Sequence, residues 1–339
     1  VEFKMAENKS KTILNRGSVQ KIRELGLLGF IVILSVFVQC RNPSFLTAEN
    51  LNDLITNTAI LSILSVGMMM VIITRGIDLS IGATLALSGM ITAMTVRSHP
   101  ALSPFSALLL GTAIGLLCGT VIGFLVAKTS ILPIIATLGM MNVFRGMTFL
   151  ISGGRWVSAH QMSSSFKHIA TGSVFGVNHL ILIAIITYVI FYCFINHTRT
   201  GRKIYAVGSN PQSARISGIN VDRTLWLVYA IMGALTGLSG VLWVSKFASA
   251  QSNTAMGYEM NVIAACVVGG VSIAGGTGKV SGLLSGVLLL GILNNALPLL
   301  NVSPFWQDAI QGGIILLAVV VSALVRRSAD KKNLIGREG

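Results

Sequence analysis

Charge is scarce in this sequence of 339 residues: 11% of them are Asp, Glu, Lys or Arg, against about a quarter in a soluble domain. A chain so poor in charge and 53% hydrophobic cannot furnish a water-exposed surface, and it reads as an integral membrane protein. Acidic residues are scarcest, 11 against 25 basic ones, which leaves a net charge of +14. That excess does not point to nucleic acid, because the basic side chains collect in three polar segments instead of spreading over a face. Lys4, Lys9, Lys11, Arg16, Lys21 and Arg23 precede the first apolar run. Arg199, Arg202, Lys203, Arg215 and Arg223 lie near the middle, and Arg326, Arg327, Lys331, Lys332 and Arg337 near the end. Such clusters beside apolar spans hold their segments in the cytoplasm.

Cysteine is sparse too. Cys40, Cys118, Cys193 and Cys266 are far apart, without a Cys-x-x-Cys or a histidine spacing that would hold zinc, so no metal site is expected. No dinucleotide fingerprint, nucleophile elbow or metal-binding histidine pair is present. The string "AGGTGKV" falls short of a phosphate loop: Ile273 stands where a glycine is needed, and Val280 follows Lys279 in place of Ser or Thr. An enzyme is therefore not expected and no cofactor is called for, which leaves movement of a solute as the leading idea. The first apolar run ends in "VFVQCRN" without a small-residue cleavage pattern, as a retained span would.

What is present is apolar length. Ten runs approach the roughly 20 residues of a membrane helix: 25–40, 54–74, 79–96, 105–127, 131–151, 178–195, 225–247, 260–275, 280–299 and 305–325. The fold expected is all-α and polytopic, with about ten transmembrane helices. It divides into a cytoplasmic tail over 1–24, a membrane domain over 25–325 and a second cytoplasmic tail over 326–339. Ten crossings place both termini and the 196–224 loop on one side, so all three basic clusters share the cytoplasm. Two stretches interrupt the runs, "TRGIDLSIG", 74–82, and "GGVSIAGGTGKVSG", 269–282, each either a tight turn or a broken helix. Arg75 and Asp78 are spaced to pair if helical, though a turn with Asp78 capping a helix from Leu79 is the simpler reading. Gly111, Gly115, Gly119 and Gly123 recur every fourth residue and form one stripe, as do Gly233 with Gly237 and Gly282 with Gly286. In lipid such stripes let helix backbones approach closely; packing within the chain is a commoner use than a dimer face.

The string "SNPQSARISGIN" interrupts this pattern. Asn210 can cap a helix starting at Pro211, and Gly218 can close it. At about two turns that helix needs a partner surface to persist. Ala214 and Ile216 offer it a little apolar area, and Arg215 suits the dipole at its end. Asn220 or Asp222 can cap the span that follows, so the chain builds an elbow between two membrane helices.

"ARISGINV" after "GRKIYAVGSN", with "RGIDLSIG", "GYEMNVIAACVVGGVSIAGGTGK" and "GILNNAL", resembles the permease subunits of ribose-type sugar ABC importers over about residues 50–325. The resemblance implies an ABC importer permease fold in the bacterial inner membrane. The solute it implies is a small sugar or sugar-like one. Its implied partners are a second permease copy or paralogue, cytoplasmic ATP-binding cassette subunits that bind the ATP, and a periplasmic sugar-binding protein. It also implies that the segment Pro211, Gln212, Ser213, Ala214, Arg215, Ser217, Gly218 and Ile219 docks in the ATPase. Family members often carry Glu-Ala-Ala-Arg where this chain has Gln212 to Arg215, so a salt bridge through that acidic residue is not expected here.

Asn142, Asn261, Asn294 and Asn295 are candidates for a translocation pathway, since amides bond sugar hydroxyls without a fixed charge; bridging between helices is their commoner use. In two segments placed outside, 152–176 and 248–260, Arg155, Trp156 and Glu259 are candidates for docking a binding protein, with interfacial anchoring the alternative for Trp156. The competing reading is a secondary transporter driven by an ion gradient, which needs intramembrane ion sites. Asp53, Asp78, Glu259 and Asp308 all fall near span ends, which weakens it.

Overall fold

The computed structural model describes residues 25–129 and 131–303, together with positions 306, 307, 309, 310, 312, 313, 316, 317 and 320. The expected tails, 1–24 and 326–339, lie outside the described residues, and so does most of the tenth span.

The chain is mostly helical. In order come α1 (Leu25–Arg41), α2 (Ala48–Ile73), α3 (Ile81–Ser98), α4 (Pro104–Lys128), α5 (Pro133–Ser152), α6 (Ser164–Thr171), α7 (His179–His197), α8 (Arg199–Ser209), α9 (Pro211–Ile216), α10 (Val221–Phe247), α11 (Tyr258–Val268) and α12 (Val280–Leu299). A two-stranded hairpin, β1 (Ser173–Val174) with β2 (Val177–Asn178), precedes α7. Among the described residues six helices, α2, α4, α5, α7, α10 and α12, are long and apolar enough to cross a membrane, and α1 and α11 are shorter apolar helices. α3 has 18 residues but is not among the six, its apolar content diluted by Thr84, Thr92, Thr95 and Arg97.

Two helices begin before their apolar runs because their caps do. Thr47 accepts a hydrogen bond from the Asn50 amide and starts α2 at Ala48, six residues ahead of the expected 54, with Glu49 suiting the helix N-terminus. Asn220 accepts from the Arg223 amide at 2.8 Å and starts α10 at Val221.

The expected span 260–275 is corrected. Its helix has 11 residues, about 16 Å at 1.5 Å each, roughly half a hydrocarbon core. α11 stops at Gly269 because Gly270 takes φ 89, with its amide donating to Val267 O and that of Val271 to Cys266 O, each at 2.9 Å; Gly269 also packs on α12, where a Cβ would lie 2.7 Å from the Gly282 carbonyl oxygen, and one on Gly286 would meet the Ala265 oxygen. Gly270, Gly275 and Gly276 then take positive φ through the turn. The 74–82 stretch is likewise a turn and not a helix. Arg75 has φ 67, residues 76–80 are non-helical and α3 starts at Ile81, so Arg75 and Asp78 do not form the helical pair. Asp78 is buried and accepts from the Ser80 amide (2.8 Å) and hydroxyl (2.6 Å).

The core is built from α2, α3 and α10, with α12 against α2. α4 lies on α10 through the glycine stripe: Cβ atoms at Gly111, Gly115 and Gly119 would meet the backbone at Gly237, Gly233 and Tyr229, and those at Gly233 and Gly237 would strike the stripe in return. The stripe is therefore spent on packing within the chain. The opposite surfaces of α4, α5 and α7 expose Leu117, Phe124, Ile135, Leu150, Ile186 and Ile190, side chains suited to acyl chains and not to water.

Candidate functional site

The elbow is present and its parts are separable. Asn210 Oδ1 accepts from the Ser213 amide at 3.0 Å, Pro211 is the first residue of α9, and Gly218 closes it at φ 78. The Gly218 amide donates to Arg215 O (3.1 Å) and that of Ile219 to Ala214 O (3.0 Å), which satisfies carbonyls the helix end would otherwise leave open. Ala214 turns inward, 5% exposed, in a small core with Val207 of α8 and Val221 of α10. Ile216 turns outward and is 88% exposed, on the same face of the loop as exposed Gln212, Ser213 and Ser217. Arg215 pairs with Asp222 Oδ1 at 3.0 Å, and Lys128 at the end of α4 reaches Asp222 Oδ2 at 3.4 Å. Asn220 is thus the cap of α10, while Asp222 ties α9 to α4. As exposed pairs these contribute only about 0–1 kcal/mol each; their role is to set direction.

Behind α9, α8 ends against the two glycine-rich turns. Arg75 Nε donates to Gly208 O at 2.6 Å and its guanidinium to Ser209 O at 2.5 Å. The Gly276 amide donates to Ile73 O at 2.8 Å, and the Tyr205 hydroxyl to Gly278 O at 2.8 Å. Burial raises the Tyr205 pKa and keeps that donor protonated. Gly208 has to be glycine because a Cβ would collide with Ile73 O and the Gly276 amide. The ends of α2, α8 and the turn before α12 therefore form one block under α9.

A family model described as "Branched-chain amino acid transport system / permease component" matches residues 50–319. The chain belongs to this permease family. The ribose import permease protein RbsC of Escherichia coli K12 is 39% identical over 304 residues, covering 88% of this chain and 93% of that one. RbsC of Bacillus subtilis 168 is 38% identical over 316 residues, 93% and 96% of the two chains. The galactose/methyl galactoside import permease protein MglC of Salmonella typhimurium LT2 is 33% identical over 320 residues, 89% and 95%. No solved structure matches the chain.

In the permease the four pathway candidates separate. Asn294 and Asn295 of α12 line a cavity against α2 and α10. Asn295 also exchanges two amide hydrogen bonds with Asn50, at 2.9 and 3.1 Å, and so bridges α12 to α2. Asn142 lies on α5 with its amide turned back onto Leu138 O at 3.1 Å, and Asn261 is half-buried on α11. Among the docking candidates, Arg155 and Trp156 are exposed, and Val157 pairs with Ala250, which sets the two expected outer segments side by side. Glu259 parts from them. It begins α11, half-buried, with its carboxylate against Gly82.

The sequence offered Ala214 and Ile216 alike as apolar area; that one turns in and the other out depends on which side of the short helix its neighbours cover. The residue it missed is Arg145, a cation in the middle of α5. It donates to Ser252 O and Thr254 O, each at 2.8 Å, and sits in electrostatic reach of Glu259. A charge within a 20-residue apolar helix is costly and is kept where it is paired; that was the available signal. Through it segment 251–257 is held against the middle of α5.

Proposed function

We propose that this permease is the membrane-spanning subunit of an ATP-driven ABC importer that moves a small sugar or sugar-like solute across the bacterial inner membrane. Family membership and relatives named for ribose and galactose import support the solute class. The single observation that carries the mechanism is α9. It is a capped foot braced on one side and bare on the other, with Ile216 offered to a partner.

In this reading the ATP-binding subunits press on the segment Pro211, Gln212, Ser213, Ala214, Arg215, Ser217, Gly218 and Ile219 from the cytoplasm. Displacement passes by Asp222 into α10 and α4, which the glycine stripe makes one unit, and by Arg75 and Gly276 into α2 and the turn before α12. The 248–257 segment and α11 together make one of ten crossings, so parity holds and both termini are cytoplasmic. Asn142, Asn261, Asn294 and Asn295 belong to the pathway. Arg155 and Trp156 receive a periplasmic binding protein, and Glu259, drawn inward, serves that docking indirectly through the segment it anchors. A second permease copy or paralogue completes the membrane unit.

The competing ion-driven reading is tested by the same assay. Proteoliposomes carrying the permease with its ATPase and binding protein are loaded with ATP and given radiolabelled D-ribose or D-galactose. Uptake blocked by vanadate and indifferent to an uncoupler is expected. Uptake that an uncoupler abolishes and vanadate spares overturns the proposal.

A further inference from the structure

The cavity between α2, α10 and α12 lies apart from the foot, and its walls have a composition of their own. It measures about 250 Å³, room for one small solute but less than the roughly 300 Å³ at which drug-sized pockets begin. Trp243 forms an aromatic wall, with the Tyr258 ring edge-on to it at 5.1 Å. Asn57, Asn294, Asn295 and Lys246 supply the polar groups.

Two features decide what such a cavity can take. The first is its setting: Asn57 and Asn294 are exposed although they sit within apolar helices of 26 and 20 residues. Beyond its bonds within the chain, an exposed amide keeps donor and acceptor positions that acyl chains cannot meet, so this mouth faces water or protein, unlike the Ile surface of α7. The second is its charge. Lys246 Nζ donates to Asn57 Oδ1 at 2.5 Å and to Thr56 O at 3.4 Å, on the helix that also carries Asp53. The ammonium is thus already directed onto acceptors of α2 and is not presented to the cavity as a lone cation.

We propose that this cavity is a station for a single uncharged monosaccharide on the translocation pathway, a reading that rests on the importer function above. The apolar face of the sugar ring lies on Trp243, and its hydroxyls exchange hydrogen bonds with Asn57, Asn294 and Lys246. Aromatic stacking with neutral amides gives a site that recognises hydroxyl-rich rings loosely, as a station that must also release its cargo requires.

The test uses the full permease in nanodiscs, titrated with D-ribose and D-galactose and followed by saturation-transfer NMR, with D-ribose 5-phosphate as the anionic comparison. The neutral sugars are expected to give saturable transfer from their ring protons. Asn57→Leu and Trp243→Leu are each expected to weaken binding about tenfold, while Leu150→Ala on the lipid-facing surface leaves it unchanged. Should either variant fail to elute as folded protein, Asn294→Ala takes its place. Equal transfer in wild type and variants, or tighter binding of the phosphate, overturns the proposal, as does a lipid acyl chain that occupies the cavity and excludes the sugars. Distinct outcomes separate the two readings. Wild-type permease that binds sugar but imports none with ATP sinks the importer reading, whereas variants that import with wild-type rate and affinity sink the station alone.

Discussion

Ile216→Asp isolates the docking role of the foot from its folding. The side chain is 88% exposed while Ala214, two residues earlier, is 5% exposed, so almost none of the isoleucine is used within the chain. Burying it in a partner cleft is worth about 2 kcal/mol, or roughly thirtyfold in affinity. An aspartate carried into the same cleft without a counter-charge adds its own desolvation penalty, so the expected loss exceeds a hundredfold or so. Ile216→Val, one methylene smaller, should lose about 0.8 kcal/mol, near fourfold. Neither change touches the Asn210 cap, the Gly218 closure or the Arg215–Asp222 pair. The assay is binding of the purified ATPase subunit to permease in nanodiscs by interferometry, alongside ATP-driven uptake. The graded order wild type, Val, Asp is expected in both, with unchanged membrane insertion. Binding and uptake at wild-type level in Ile216→Asp would refute the assignment of α9 as the docking foot.

Three further outcomes follow from particular contacts. Gly115→Ala places a methyl group about 2.5 Å from the Gly237 backbone and should cost about 1–3 kcal/mol as overpacking; Gly139→Ala on α5, with nothing within 4 Å, should be neutral, and thermal melting in detergent compares them. Gly218→Val forces a branched residue to φ 78 at a cost of about 1–2 kcal/mol; uptake should fall while the amount of inserted permease does not, as an insertion blot beside the transport assay would read. Arg145→Met removes two charge-assisted bonds, about 1.5–3 kcal/mol each, from Ser252 O and Thr254 O. Its melting temperature should drop, and a cysteine placed at Asn253 should label faster as the 251–257 segment loosens.

How much was legible in the sequence depended on how far apart the interacting residues lie. The membrane character, most helix positions, the Asn210, Pro211 and Gly218 elbow and the period-four glycines were all readable. Each is set by residues within about a turn or two of one another, where apolar length, capping and helical repeat act directly. The break in 260–275 was legible only as one of two alternatives: the glycines of 269–282 allowed a tight turn or a broken helix, and the approach of α12 to Gly269 through Gly282 and Gly286 is a tertiary contact that no local pattern shows. Only the tertiary structure joined Arg75 to Gly208 across 133 positions and Arg145 to Ser252 across 107. It also turned Ala214 in and Ile216 out, and set Trp243 opposite Asn57 and Asn294. Contacts between residues so far apart leave no period in the sequence; they exist because packed helices bring distant polar groups within hydrogen-bond range of one another.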